Sequence, residues 1–161
     1  MAFARGQQGV ELLVIFSAAL AVFVIFYAVF AQQYGDSVRR QAQADGISLA
    51  DSIAWEINIA ARAGDGYQRQ VSYAGTIGGV SNYSLLINNV SGSVDLTMNF
   101  APGNSYQYTS PLLTRNVTGE RQFDTYDAFH NVNGFDLQPE RGYMFVENRE
   151  GQVFVSQLRV G

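Results

Sequence analysis

The chain of 161 residues contains no cysteine and no lysine, and it has a single histidine, a single tryptophan and three prolines. Without cysteine it has no disulfides, thiolate metal sites or thiol nucleophile. One histidine, His130, supplies no histidine cluster for a metal and makes a Ser-His-Asp triad hard to build. Every cation is arginine, and no basic cluster is longer than Arg39-Arg40, so a nucleic-acid surface is not expected.

Other patterns that signal chemistry are also missing from the sequence. Asp124, Asp127 and Asp136 lie near one another, but their spacing is not that of a calcium-binding loop. The glycines at 75, 78 and 79 lack the lysine of a phosphate loop and its strand–loop–helix setting. We therefore expect no enzymatic activity, no cofactor and no metal, and we expect the charged residues to form a solvated face.

The most prominent feature is a run of twenty uncharged residues, Leu12 to Ala31. At ~1.5 Å per residue, a helix of this length crosses a hydrocarbon core of ~30 Å. Glu11 stands directly before the run, where a carboxylate is costly unless it is paired. Alternatively, Glu11 lies at the level of the lipid headgroups, where water solvates it.

The residues before the run do not resemble a secretory signal peptide, which has its small-residue cleavage site after the apolar core. Here a short leader ending in Arg5-Gly6 precedes the apolar run, and no such site follows Ala31. Cleavage before the apolar segment would leave that segment on the mature protein.

The sequence from Arg5-Gly6 through Gln7-Gln8-Gly9-Val10-Glu11 into the apolar helix resembles the archaeal type IV pilin-like superfamily. That resemblance implies a class III signal peptide, cut by a prepilin peptidase between Gly6 and Gln7. Glu11 is then the fifth residue of the mature chain, where the family places its acid. Gly9 is a departure, because the family often has serine there.

The cut would create an amino group on Gln7, four residues before Glu11. In a helical stack, this amine of one subunit would meet Glu11 of a neighbour and neutralise both charges. The resemblance implies that the pairing guides the subunit into a filament.

Beyond the apolar run, the helix is predicted to continue to Ala63, with Gly64-Asp65-Gly66 as its stop. Apolar residues recur at helical spacing at Val38, Ala42, Gly46, Leu49, Ile53, Ile57 and Ala60. The opposite side carries Arg39, Arg40, Gln43, Asp51 and Glu56. Gly35 and Gly46 are predicted to be soft points, each costing ~1 kcal/mol relative to alanine.

From Tyr67 onward the sequence changes to short β-prone runs separated by Gly, Asn and Ser. The predicted strands are 68–73, 83–88, 93–100, 106–109, 112–118, 143–147 and 152–160. The predicted fold class is α+β: a long N-terminal helix followed by a compact antiparallel β-rich head, sandwich-like or barrel-like. The predicted divisions are a leader (1–6), an apolar helix (7–31), its amphipathic continuation (32–66) and the head (67–161).

Three N-glycosylation sequons begin at Asn82, Asn89 and Asn116, all in the predicted head. Each asparagine has a simpler interpretation as a turn residue. The aromatic, turn-rich stretch 101–142 suggests either an adhesive loop set or aromatic side chains that anchor loops to the core.

Together these features predict a homo-oligomeric, surface-adhesive filament subunit, which is a membrane precursor and then extracellular. The resemblance implies a prepilin peptidase and assembly machinery as partners. The alternative is a non-polymerising, single-pass surface or surface-layer-associated protein with a β-sandwich domain. An archaellin ranks lower, since the Phe-rich segment lacks the Ala/Val-rich run associated with that group.

Overall fold

The computed structural model describes residues 3–78, 83–101, 104–120 and 134–157. Within these ranges the chain forms one long helix, eight strands and a short 3-10 helix, which confirms the α+β class. Helix α1 is Phe3–Ala63. The strands are β1 Gln68–Ser72, β2 Tyr83–Asn88, β3 Ser93–Ala101, β4 Asn104–Pro111, β5 Val117–Glu120, β6 Gly134–Leu137, β7 Tyr143–Arg149 and β8 Gln152–Ser156. The 3-10 helix is Pro139–Arg141.

The chain divides into two compact units, Met1–Arg40 and Gln41–Gly161. In the first unit, every described residue belongs to α1. The second unit holds the remainder of α1 and all the described strands, and we refer to it as the head unit.

The strands of the head unit form two four-stranded sheets, ordered β1-β7-β8-β5 and β4-β3-β2-β6. Five of the six described pairings are antiparallel, as the sequence predicted. The sixth, β5 with β8, is parallel and places Val117 opposite Val153. The prediction of an antiparallel sheet is wrong at this pair.

Two strand predictions differ from the structure. Strand β6 was not predicted, and the run predicted as 112–118 becomes a strand only at Val117. The backbone before Val117 bonds elsewhere: Leu112 N–H donates to the Gly92 carbonyl at 2.8 Å, and Leu113 N–H donates to Asn58 Oδ1 at 2.7 Å. These bonds hold the segment in an irregular path instead of a sheet.

Within the head unit, α1 lies between the edge strands β4 and β1. Asp51 Oδ1 accepts hydrogen bonds from Tyr108 and Ser110 on β4, at 2.9 and 2.7 Å. On the other side, Glu56 forms an ion pair with Arg69 of β1 at 3.0 Å. The opposite edges, β5 and β6, come together where the Phe135 ring covers Gly119. The helix thus completes the enclosure of a core shared by both sheets.

The predicted apolar stripe of α1 is confirmed over most of its length. Ala42, Ile53, Ile57 and Ala60 are buried, and Leu49 is partly buried against the core. Val38, in the first unit, is 44% exposed. The sequence did not predict that Ala50 and Ala54 are also buried in this face.

Two predictions about α1 are corrected. Glu56 was assigned to the solvated side but is buried, because Arg69 and the Tyr67 hydroxyl both bind its carboxylate. Gly46 was predicted to be a soft point, yet the helix packs closely against β3 there. A Cβ at this position would lie 2.8 Å from Met98 Sδ and 2.9 Å from Leu96 Cδ2. At Gly35 nothing lies within 4 Å of such a Cβ.

Candidate functional site

The candidate site is the apolar part of α1 in the first unit, from Val10 to Phe30, which we call the apolar segment. Its large side chains are all exposed, from 49% at Val29 to 72% at Leu12. This part of α1 is long and apolar enough to cross a membrane. Exposed apolar surface this extensive marks a protein or membrane contact. The apolar segment is therefore consistent with membrane anchoring or with a signal sequence.

The backbone of the apolar segment is also suited to an apolar environment. A helix pairs its N–H and C=O groups internally, which is required where no water can bind them. The Ser17 hydroxyl donates to the Leu13 carbonyl at 2.8 Å, so this polar side chain is satisfied within the helix as well. Beside it, Ala18, Ala19 and Ala21 are small residues that permit another helix to approach closely.

The residues predicted for cleavage and assembly all lie on α1. Gly6 and Gln7 are part of its backbone, and the helix begins at Phe3, before the predicted start at Gln7. Gln7 is about one helical turn before Glu11. Glu11 is exposed, and no ion pair joins it to another residue in the described part of the chain.

The structure describes two of the three sequons, and Asn82 lies outside the described residues. Asn116 is exposed and directly precedes β5. Asn89 lies in the turn between β2 and β3 and is only partly exposed. The two sites lie in different local structures, although they share the same acceptor pattern.

The aromatic stretch 101–142 is described only in part, since Phe123, Tyr126 and Phe129 lie outside the described residues. Tyr106, Tyr108 and Phe135 are partly buried and pack against the core. His130, Asp124 and Asp127 also lie outside, and Asp136 is exposed on β6. Where the structure describes side chains, no group of three His, Cys, Asp or Glu residues is arranged to hold a metal.

Sequence reasoning missed a shallow groove on the head unit, lined by Trp55, Asn58, Ile59, Arg62 and Leu113. Trp55 and Leu113 are each 61% exposed. Asn58 fixes the groove's shape by donating to the Pro111 carbonyl at 3.3 Å and accepting from Leu113 N–H at 2.7 Å. The available signal was the helical spacing of Trp55, Ile59 and Arg62 outside the predicted stripe.

No protein-family model matches the chain, and neither curated proteins nor solved structures yield a match.

Proposed function

We propose that the chain is a structural subunit of an extracellular, archaeal type IV pilus-like filament, assembled through its N-terminal helix after cleavage between Gly6 and Gln7. One observation carries the proposal: α1 uses its two parts differently. Residues of its later part, such as Ile53 and Ile57, are buried in the head core, while the side chains of the apolar segment are exposed. The apolar segment therefore needs an apolar environment from outside the chain.

Two such environments succeed each other in this proposal. The apolar segment first lies in the membrane and then packs among the helices of neighbouring subunits. Burial of apolar surface stabilises by ~25 cal/mol per Å² relative to water, but this term nearly cancels between lipid and filament core. Helix packing and the pairing of Glu11 must then decide whether the subunit leaves the membrane.

The pairing of Glu11 requires a cation from a second subunit. Cleavage after Gly6 supplies that cation as the new amine of Gln7. The amine and carboxylate of one subunit lie about one helical turn apart, so each charge can meet its opposite on a neighbour displaced along the helix axis. Contacts of this head-to-tail kind generate an open helical filament when the rotation between subunits does not close a ring.

The head unit, in this proposal, faces the outside of the filament. Its packed core and its helix–strand bonds make it a compact body without disulfides, and surface adhesion is the role we propose for it.

A non-polymerising surface protein is the second candidate, because the apolar segment alone meets the requirements of a membrane span. In that case Glu11 lies at the headgroup level and needs no partner. Arg5 before the span and Arg39-Arg40 after it do not determine its orientation. An archaellin remains a third, lower-ranked candidate.

The test is to express the full chain with a prepilin peptidase and pilus assembly machinery, then to image the cell surface and determine the N-terminal residue by mass spectrometry. We expect a mature N terminus at Gln7 and surface filaments. Glu11→Ala should be cut normally but give no filaments. Asp36→Ala is the matched control, since it removes an acid from α1 beyond the apolar segment and should still assemble.

Wild-type protein that remains monomeric in the membrane would overturn the proposal in favour of the second candidate. Filaments of normal abundance from Glu11→Ala would overturn the role of Glu11 alone.

A further inference from the structure

We infer that Asn116, and not Asn89, is the sequon that the folded head unit presents for N-glycosylation. Both carry the same acceptor pattern, an asparagine two residues before a hydroxyl. The structure distinguishes them by the exposure of the asparagine, the bonding of its amide and the state of the hydroxyl.

Asn116 is exposed, and its backbone is fixed on both sides. Its N–H donates to Thr114 Oγ1 at 3.0 Å, and its carbonyl accepts from Val153 N–H at 3.1 Å. The side-chain Nδ2 lies 3.5 Å from the Gly151 carbonyl, at the long limit for a hydrogen bond. Because this amide has two hydrogens, one can be replaced while the other keeps that contact.

The hydroxyl of this sequon belongs to Thr118, at the second position of β5. Thr118 Oγ1 accepts a hydrogen bond from Gln152 Nε2. As the acceptor in this bond, the hydroxyl keeps its own hydrogen for a transferase. Strand β5 is also an edge of its sheet, paired with β8 alone among the described strands.

Asn89 differs in its amide. Its Oδ1 is buried and has no hydrogen-bond partner among the described residues. The turn that contains it is locked by its neighbour, since Asn88 Oδ1 accepts from the N–H groups of Val90 and Ser91 at 3.0 and 3.1 Å. The Asn89 amide oxygen is therefore buried in a turn whose backbone is already fixed.

The hydroxyl of the Asn89 sequon belongs to Ser91, and it is already engaged in a hydrogen bond. Ser91 and Ser93 share a hydrogen bond between their hydroxyls. Ser93 gives its hydrogen to Asp95 Oδ1 at 2.9 Å, so Ser91 must be the donor to Ser93. A transferase that binds the Ser91 hydroxyl would have to break this chain of bonds.

The modification itself joins Asn116 to a glycan donated by a lipid-linked saccharide, activated as an ester of its anomeric carbon with phosphate. Nδ2 forms a bond to the anomeric carbon, the bond between that carbon and the phosphate oxygen breaks, and the lipid phosphate leaves with the bonding electrons. The displaced amide proton passes to a base of the transferase. No redox partner is needed.

This inference rests on the proposed function in one respect, that the head unit is exported. The experiment therefore measures both export and modification. The full chain is produced in a host that exports and N-glycosylates proteins, in an Asn82→Gln background so that only the two described sequons are compared. Protease treatment of intact cells reports whether the head unit is outside, and glycopeptide mass spectrometry assigns the occupied asparagine.

We expect a glycan on the peptide that contains Asn116 and an unmodified Asn89. Asn116→Gln should reduce occupancy to background, and so should Thr118→Val, which keeps Asn116 and the side-chain shape but removes the hydroxyl. Asn89→Gln is the matched control and should leave the glycan mass unchanged. Circular dichroism of each variant verifies that it folds.

An exported head unit with a glycan on Asn89, or with none on Asn116, would overturn this inference and leave the proposed function standing. A head unit that stays inside the cell would overturn both.

Discussion

Asn148 Nδ2 donates a hydrogen bond of 2.8 Å to the carbonyl of Ala60, in the last turn of α1. Asn148 is 1% exposed, and its Oδ1 accepts from Gly151 N–H at 3.1 Å in the β7–β8 turn. Its backbone bonds to Gly66 and Tyr67, which lead from the helix into β1. One buried side chain therefore joins the helix end to the hairpin that forms the centre of the first sheet.

Replacing this residue should weaken the head unit strongly. Asn148→Ala removes both side-chain bonds and leaves the Gly151 N–H without its partner, so we expect a loss of about 2–3 kcal/mol in the free energy of unfolding. Urea unfolding of the full chain in detergent micelles, followed by circular dichroism, measures it. Asn104→Ala, at an exposed site, is the control and should change stability by less than about 0.5 kcal/mol. Equal effects would contradict the role of Asn148.

Two of the glycines of α1, Gly46 and Gly35, should respond oppositely to one substitution. Gly46→Leu inserts a side chain where even a Cβ would lie within 3 Å of Met98 and Leu96, and overpacking of this kind costs about 1–3 kcal/mol. Gly35→Leu meets nothing within 4 Å and gains the helix propensity lost at glycine, about 1 kcal/mol. Thermal unfolding of the two variants in micelles checks the difference. A stabilised Gly46→Leu would show that the contact is loose.

The ion pair between Glu56 and Arg69 should contribute only a modest coupling energy. The Glu56 side chain is 10% exposed and that of Arg69 is 58%, so solvent screens the pair from one side. A double-mutant cycle with Glu56→Gln and Arg69→Ala should give a coupling energy of about 0.2–1 kcal/mol at low salt, decreasing as salt is added. Glu56→Gln retains an acceptor for the Tyr67 hydroxyl, which isolates the charge. A coupling energy near zero at low salt would show that this ion pair does not help to hold α1 against β1.

Two buried tyrosines should limit stability in alkali. Burial raises the pKa of Tyr83 to about 12, with a smaller contribution from Glu140, and burial likewise raises the pKa of Tyr73 beyond that of Tyr83. An unfolded tyrosine has a pKa of ~10, so the folded state holds these protons more tightly. Stability should thus be constant below pH ~10 and decrease as the pH rises through ~12.

Tyrosinate absorbance and circular dichroism, recorded together against pH, test this. We expect the last tyrosines to ionise only as the head unit unfolds. Tyr34→Phe is the control: Tyr34 is 66% exposed, so its replacement should leave the unfolding midpoint in place. Ionisation of every tyrosine near pH ~10 with the fold intact would contradict the assigned burial.

Features with local causes were predictable from the sequence. The Gly64-Asp65-Gly66 stop is confirmed by a helix that ends at Ala63, and Tyr83–Asn88 is a strand as predicted because its residues alternate between the core and solvent. Most of the apolar segment was visible in the sequence as the uncharged run from Leu12 to Ala31. The roles predicted for Gly6, Gln7 and Glu11 remain predictions.

Features decided by distant partners were not predictable. Glu56 is typical of a solvated helix face and is buried only because Arg69 and Tyr67 reach it from β1 and the segment before it. Ala50 and Ala54 lie beside Leu49 and Ile53 of the predicted stripe, and they are buried because the core extends past its edge. Asn89 and Asn116 differ in their exposure and in the hydrogen bonds around them, which involve Asn88 and Ser93 at the first site and Gly151 at the second.

The pairing of β1 with β7 constrains when the head unit can fold during synthesis. β1 is the first strand of the chain, and its only partner among the described strands is separated from it by the entire second sheet in sequence. Contacts of such long sequence separation form late. The second sheet, whose β2–β3–β4 hairpins are local, can pair while the chain is still emerging, but the first sheet must wait for the C-terminal hairpin. Until then, the part of α1 that packs against the first sheet remains uncovered, so a chain truncated before β7 should be captured by chaperones or degraded rather than exported in a folded state.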